Sequence, residues 1–206
     1  MNAKKNLLLI FTRNPELGKC KTRLASKIGD EAALKIYIFL LEHTVSITQN
    51  LNVQKRVYYS EEIWDTDIWD NTIYQKKLQK GGDLGLRMLD AFQDGFKSGY
   101  EKIIIIGSDM YDLSQRDLES AFLKLDNHDY VLGPAEDGGY YLLGMTSLKE
   151  ELFHDKLWGT EAVLPSTLDN LKRENLFELP LKNDVDHYED IKEIKAFSPY
   201  LKHIKE

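Results

Sequence analysis

Four consecutive isoleucines, Ile103-Ile104-Ile105-Ile106, run directly into Gly107, Ser108 and Asp109. An unbroken β-branched run reads as a strand buried on both faces, and such strands belong in a central parallel sheet covered by helices. Open α/β sheets bind their ligands at the carboxyl ends of the strands, so this strand delivers Asp109 to the expected site. A second strand-then-loop unit opens the chain. Leu7-Leu8-Leu9-Ile10-Phe11 leads into a loop bent by Pro15 and Gly18 that carries Arg13, Lys19, Lys21 and Arg23. A cationic loop and an acidic loop at strand ends point to a metal-assisted site for a phosphorylated ligand.

The totals set bounds on that reading. A chain of 206 residues favours one domain, residues 1–206, with a real hydrophobic core. Apolar content of 42% and charged content of 30% are ordinary for a soluble globular protein. The net charge of −7 lacks the basic excess of a nucleic-acid binder, so a polyphosphate ligand needs local cations or a metal. The lone Cys20 excludes an internal disulfide and fits a reducing compartment. No apolar run approaches the length of a membrane span. The basic first residues precede a short apolar run, which Arg13 and Asn14 end before a signal-peptide core forms. The expectation is a first strand in a cytoplasmic protein.

Along the chain, strands alternate with helices, as in a single α/β domain. Asp30 is read as the cap of a helix over residues 31–49, with strand character following at 53–59. Residues 63–71 read as a loop or short helix and 72–79 as another strand. Asp83 caps a helix over 84–96, and Gly99 breaks the chain before the isoleucine strand. Ser114 caps a helix over 115–125. Strands are expected at 130–132 and 140–145. A helix is expected over 161–174, its start complicated by Pro165. A strand interrupted by Pro180 spans 176–181, and a terminal helix spans 188–196.

Four pieces could carry chemistry. The cations of the first loop can neutralise phosphate oxygens, and Gly18 lets backbone approach a ligand. That loop lacks both the P-loop spacing and a dinucleotide fingerprint, and its plainer role is a solvated turn at a helix start. Asp109 is either a site carboxylate or a turn residue, with Asp112 shaping the turn that follows. Gly133-Pro134-Ala135-Glu136-Asp137-Gly138-Gly139-Tyr140-Tyr141 contains more than a plain hairpin turn requires, and reads as a loop that closes against a substrate ring. Asp184-Val185-Asp186 places both carboxylates on one side of a strand end. Two aspartates from distant segments can share one Mg²⁺ or Mn²⁺, which prefer oxygen ligands; a capping role is the alternative for Asp186. The histidines show no metal-ligand spacing. Trp64, Trp69 and Trp158 read as packing residues, with Trp158-Gly159-Thr160 a possible pocket rim.

Taken in order, the pieces resemble the bacterial DUF2064 family of glycosyltransferase-like proteins in the GT-A superfamily. The resemblance covers nearly the whole chain. It rests on Pro15-x-x-Gly18-x-x-Lys21-Thr22-Arg23-Leu24, Gly82-Asp83-Leu84-Gly85-x-Arg87-Met88, Gly107-Ser108-Asp109, the Gly133 to Tyr141 motif, Trp158-x-Thr160 and Asp184-Val185-Asp186. The fold it implies is a three-layer α/β/α sandwich with a mostly parallel, nucleotide-binding sheet. By the same resemblance, Lys21 and Arg23 hold phosphates with Arg13 as helper. Asp109 takes the metal-binding position, and Asp186 is a second metal carboxylate. Gly82, Arg87, Gly138 and Gly139 shape the nucleotide or acceptor pocket. The sequence departs from the family at Tyr111, where proline is usual, and at His187, where threonine is usual.

Two reactions are compatible with this resemblance. One is metal-dependent glycosyl transfer from a nucleotide-diphospho-sugar to a small-molecule acceptor. There an acid such as Asp137 activates the acceptor hydroxyl, and the metal and basic loop neutralise the departing diphosphate. The other is nucleotidyl transfer from an NTP to a phosphorylated acceptor, with release of pyrophosphate. A non-catalytic nucleotide-binding module is the third reading, and the presence of both Asp109 and Asp186 argues against it.

Overall fold

The computed structural model describes residues 5–204. Seven strands form one sheet: β1 (Asn6–Thr12), β2 (Gln54–Tyr59), β3 (Gln75–Leu78), β4 (Lys102–Gly107), β5 (Tyr130–Pro134), β6 (Tyr140–Met145) and β7 (Leu176–Glu178). Their spatial order is β3-β2-β1-β4-β6-β5-β7. Every pairing is parallel except those of β6, which runs antiparallel to both β4 and β5. Six α-helices accompany it among the described residues: α1 (Thr22–Ile28), α2 (Asp30–Thr48), α3 (Leu84–Lys97), α4 (Gln115–Lys124), α5 (Val163–Leu171) and α6 (Ser198–Leu201). No helix among the described residues is long and apolar enough to cross a membrane.

Strand alternation sorts the core into layers. Leu8 and Ile10 of β1 and Ile104 and Ile106 of β4 pack with Tyr37 and Leu41 of α2 and Leu118 and Phe122 of α4. The alternate residues Leu7, Leu9, Ile103 and Ile105 pack with Met88 and Phe92 of α3 and Leu171 of α5. β4 lies between, its four isoleucines at most 4% exposed. Burying each contributes roughly 1.5–3 kcal/mol, so this strand is a main source of the sheet's stability. The result is the three-layer α/β/α sandwich with a mostly parallel sheet that the family resemblance implied.

Local signals account for the starts of α3 and α4. The Asp83 side chain accepts from the Leu86 N–H at the start of α3. Ser114 and Asp117 form a capping box on α4. Pro165 is the third residue of α5, where a missing N–H costs nothing because the first-turn donors have no intrahelical partner. Asp30 is the first residue of α2 rather than its cap, because Gly29, at φ 84°, turns the chain between α1 and α2.

Two expectations need correction. Arg23 does not lie in the basic loop, since α1 already begins at Thr22. The terminal helix over residues 188–196 does not form. The chain instead makes 3₁₀ turns at Tyr188–Asp190 and Lys195–Phe197, followed by α6. The reason is periodicity. Val185, Tyr188, Ile191, Ile194, Phe197 and Tyr200 all pack into one cluster with Leu24, Ile28, Ile36 and Leu40 of α1 and α2. A three-residue spacing stays on one face at 3.0 residues per turn, whereas an α-helix would rotate every third residue away.

Candidate functional site

The topology fixes where a site can form. Strand order runs outward from β1 in one direction through β2 and β3, and in the other through β4. The crevice between the carboxyl ends of β1 and β4 is therefore a switch point. Because β6 is antiparallel to both β4 and β5, β5 points the same way as β4. The loop joining β5 to β6, with Asp137, Gly138 and Gly139, thus emerges at this same edge. β7 is parallel to β5, so the segment after it brings Asp184 and Asp186 there as well. Four motifs far apart in sequence meet at one edge.

The loop after β1 is pinned from below. The buried Tyr37 hydroxyl of α2 accepts from the Arg13 N–H at 2.9 Å and lies 3.3 Å from Ser108 Oγ. Cys20 donates to the Asn14 carbonyl, and Asn14 Nδ2 donates to the Glu62 carbonyl. Lys21, immediately before α1, takes a left-handed conformation with φ 49° and ψ 46°. A non-glycine residue pays about 1–2 kcal/mol for that conformation, so the surrounding contacts must hold it.

Those contacts are ionic. Lys21 Nζ lies 2.7 Å from Asp109 Oδ2 and 3.7 Å from Asp186 Oδ1, and the Lys21 side chain is only 5% exposed. Arg23 reaches Asp186 Oδ2 at 2.7 Å. Burial pushes the Asp109 carboxyl up, but the Lys21 ammonium more than offsets this and holds it below the usual carboxylate range. Burial works against the Lys21 charge too, and Asp109 and Asp186 outweigh it, so its pKa is raised. Asp184 is in the opposite situation. Burial, and after it the neighbouring Asp137 carboxylate, pushes Asp184 up to about 6.

Two cavities open side by side. The larger, about 860 Å³, is lined by five basic side chains, Arg13, Lys19, Lys21, Arg23 and Arg87, and by Glu61, Asp83, Asp109 and Asp186. Its size lies within the usual range for ligand pockets. The smaller, about 250 Å³, has aromatic and aliphatic walls that include Met88, Tyr140 and Trp158. Its charged lining consists of Asp109, Asp137 and Asp184, with no basic residue. Phe11, Leu84, Gly107 and Asp109 belong to both cavities and form their common wall.

The expected site residues fall into groups. Arg13, Lys21, Arg23, Arg87, Asp109 and Asp186 line the larger cavity, and Asp109, Asp137 and Gly139 line the smaller. Gly18, Gly82 and Gly138 line neither. Gly18 makes an exposed turn at φ 74°, while Gly138, at φ 84°, lies where a Cβ would come 2.4 Å from Glu161 Cα. Gly138 thus seats the Asp137 loop against the start of the α5 region. Asp184 and Asp186 part company, one lining each cavity, with Val185 buried between them. The Trp158-x-Thr160 motif forms a wall of the smaller cavity, as a pocket rim would. Tyr111 and His187, the two departures from the family pattern, line neither cavity; Tyr111 packs against Phe39, His43 and Phe197.

Sequence reasoning missed Tyr37, and it placed Tyr140 only as part of the Gly133 to Tyr141 motif. Both sit in apolar patterns, yet a tyrosine in an apolar stripe still needs a partner for its hydroxyl, and that is the readable signal. The Tyr140 hydroxyl meets only the Met88 sulfur, at 3.8 Å. Burial in this apolar setting raises the Tyr140 pKa and keeps the phenol neutral.

Residues 44–160 match the family DUF2064, described as an uncharacterized protein conserved in bacteria. A solved structure from Desulfovibrio desulfuricans, provisionally named a nucleotide-diphospho-sugar transferase, is 30% identical. The match covers 89% of this chain and 83% of that one, with a TM-score of 0.83. A cytidylyltransferase from Leptospira borgpetersenii is 22% identical over 91% of this chain and 83% of that one, with a TM-score of 0.56. A 4-diphosphocytidyl-2C-methyl-D-erythritol synthase from Anaerococcus prevotii is 9% identical over 97% of each chain, with a TM-score of 0.57. These last two share the fold. No curated protein matches the chain.

Proposed function

The chain belongs to the DUF2064 family, and we propose that it transfers a glycosyl group from a nucleotide-diphospho-sugar to a small neutral acceptor. One observation carries this reading: the charge contrast between two cavities that share Asp109. The larger cavity has the size and the cations for a nucleoside diphosphate. The smaller has three carboxylates and no cationic side chain, so it repels a phosphorylated group and suits hydroxyls that donate hydrogen bonds. Its aromatic and aliphatic walls offer a face for a sugar ring.

In this reading the donor's diphosphate lies along the first loop. Arg13 and Arg87 have no carboxylate partner among the described residues and meet it first. Lys21 and Arg23 follow. The acceptor oxygen attacks the anomeric carbon, the bond from that carbon to the phosphate oxygen breaks, and the nucleoside diphosphate leaves with the electron pair. Asp184, beside Asp137, takes the acceptor's proton; burial, and after it the Asp137 carboxylate, raises Asp184 and makes it a better base near neutral pH. Asp109 and Asp186 present hard oxygen donors that fit Mg²⁺ or Mn²⁺, which when bound would add charge neutralisation at the diphosphate.

The second reading is nucleotidyl transfer from an NTP, favoured by the number of basic groups in the larger cavity, which suits a triphosphate. One experiment separates the two. Purified protein is incubated with a panel of nucleotide-sugars or of NTPs, each with Mg²⁺ or Mn²⁺ and a mixture of candidate sugars and sugar phosphates. Release of nucleoside diphosphate from one nucleotide-sugar, lost in Asp184→Asn, supports glycosyl transfer. Pyrophosphate released from an NTP only when a phosphorylated acceptor is present overturns it in favour of nucleotidyl transfer.

A further inference from the structure

The position that a divalent cation would take between Asp109 and Asp186 already holds a cation. Lys21 Nζ sits 2.7 Å from one carboxylate and 3.7 Å from the other, and Arg23 lies 2.7 Å from the second oxygen of Asp186. Two negative charges thus face two positive ones, and the group is neutral. A metal approaching it finds donor oxygens of the right kind with their charge already compensated. Asp184 and Asp137 lie beyond, in the smaller cavity, and Arg13 and Arg87 face the site from the larger one. Among the described residues, no group of three or more His, Cys, Asp or Glu could hold a metal by itself.

We propose that Lys21 is a resident counter-ion that keeps the Asp109–Asp186 cation site closed until phosphate groups in the larger cavity draw Lys21 and Arg23 away. The proposal rests on the reading that this cavity takes phosphates. Its basis is geometric. The Lys21 side chain is nearly enclosed, so its ion pairs escape most of the screening that weakens surface pairs. Its backbone is left-handed, at φ 49° and ψ 46°, a conformation that is costly for a non-glycine residue. Arrival of phosphates gives both bases a new partner and leaves two carboxylates uncompensated, which is the charge state a divalent ion requires. Metal and nucleotide then raise each other's affinity by the same factor. The protein therefore does not load metal unproductively, and metal and phosphate enter together.

The test is titration of Mn²⁺ alone into the full chain, followed by calorimetry and by the electron paramagnetic resonance of free Mn²⁺. Wild type should bind weakly. Lys21→Met, similar in length and uncharged, should bind on the order of tenfold tighter or more, the usual scale of such couplings. Adding Asp109→Asn to Lys21→Met should remove the gain. Arg23→Met serves where Lys21→Met does not fold, because the Arg23 side chain is 56% exposed; it should tighten Mn²⁺ binding several-fold, roughly half the effect in free energy. Equal Mn²⁺ affinity in wild type and the variants overturns the proposal, as does a gain that survives Asp109→Asn. Because no turnover is read, failure here leaves glycosyl transfer standing, and failure of glycosyl transfer leaves this result standing.

Discussion

Gly85 lies in the first turn of α3, where alanine would ordinarily be favoured over glycine by about 1 kcal/mol. Helix propensity alone therefore predicts that Gly85→Ala stabilises the protein. The structure predicts the reverse. A Cβ at Gly85 would lie 2.3 Å from the Phe153 carbonyl oxygen and 2.7 Å from two atoms of the Trp158 ring. Ordinary contact begins at 3.4 Å, so the Phe153 backbone or Trp158 must move by about an ångström (3.4 − 2.3). Overpacking of this kind costs about 1–3 kcal/mol, and contact with backbone belongs at the upper end. Subtracting the propensity gain leaves about 2 kcal/mol of destabilisation, or a Tm about 4–8 °C lower for a chain of this size. Trp158 walls the smaller cavity, so ligand affinity should fall as well. Gly82→Ala is the matched control, because a Cβ there meets no atom within 4 Å. Differential scanning calorimetry of both variants decides the matter. A raised Tm for Gly85→Ala, or equal losses for the two, would refute the packing argument.

Two further predictions concern the site. Tyr37→Phe removes the acceptor of the Arg13 N–H and should cost about 1–3 kcal/mol in chemical denaturation, since partly buried polar groups lose their partner; a cost under about 0.5 kcal/mol would show that water replaces the hydroxyl. Asp184 has a folded pKa near 6 against an ordinary 3.8, so the native state holds the proton more tightly than the unfolded chain. Its contribution to stability therefore falls as pH rises from about 3.8 through about 6, and remains lost above that, by up to about 3 kcal/mol before solvent screening. Asp184→Asn should remove this decline and be the more stable protein at pH 7; denaturation curves at pH 4 and pH 7 that shift in parallel for the two proteins would contradict the assignment.

The sequence alone determined that the chain builds a covered central sheet. Four isoleucines can be buried on both faces only at the centre of a covered sheet, and β4 lies there between β1 and β6. Asp83 and Ser114 mark helix starts because the first-turn donors need an acceptor within three residues, a requirement local enough to read directly. The motif aspartates were legible as a set because each follows a strand, and parallel strands send their carboxyl ends to one edge.

What only the tertiary structure decided depends on contacts between distant segments. That Lys21 pairs with Asp109, across 88 residues, follows from the β1–β4 adjacency and the left-handed turn before α1, neither of which leaves a local pattern. The separation of Asp184 from Asp186 into two cavities arises because Val185 is drawn into the cluster beside α1 and α2. The same cluster replaced the expected terminal helix with 3₁₀ turns, since tertiary burial of every third residue outweighs helix propensity in so short a segment. Propensities, caps and apolar runs act over a few residues and can be read in order. Charge compensation and cavity shape are sums over groups that only the folded chain brings within a few ångströms, and they set the chemistry of the site.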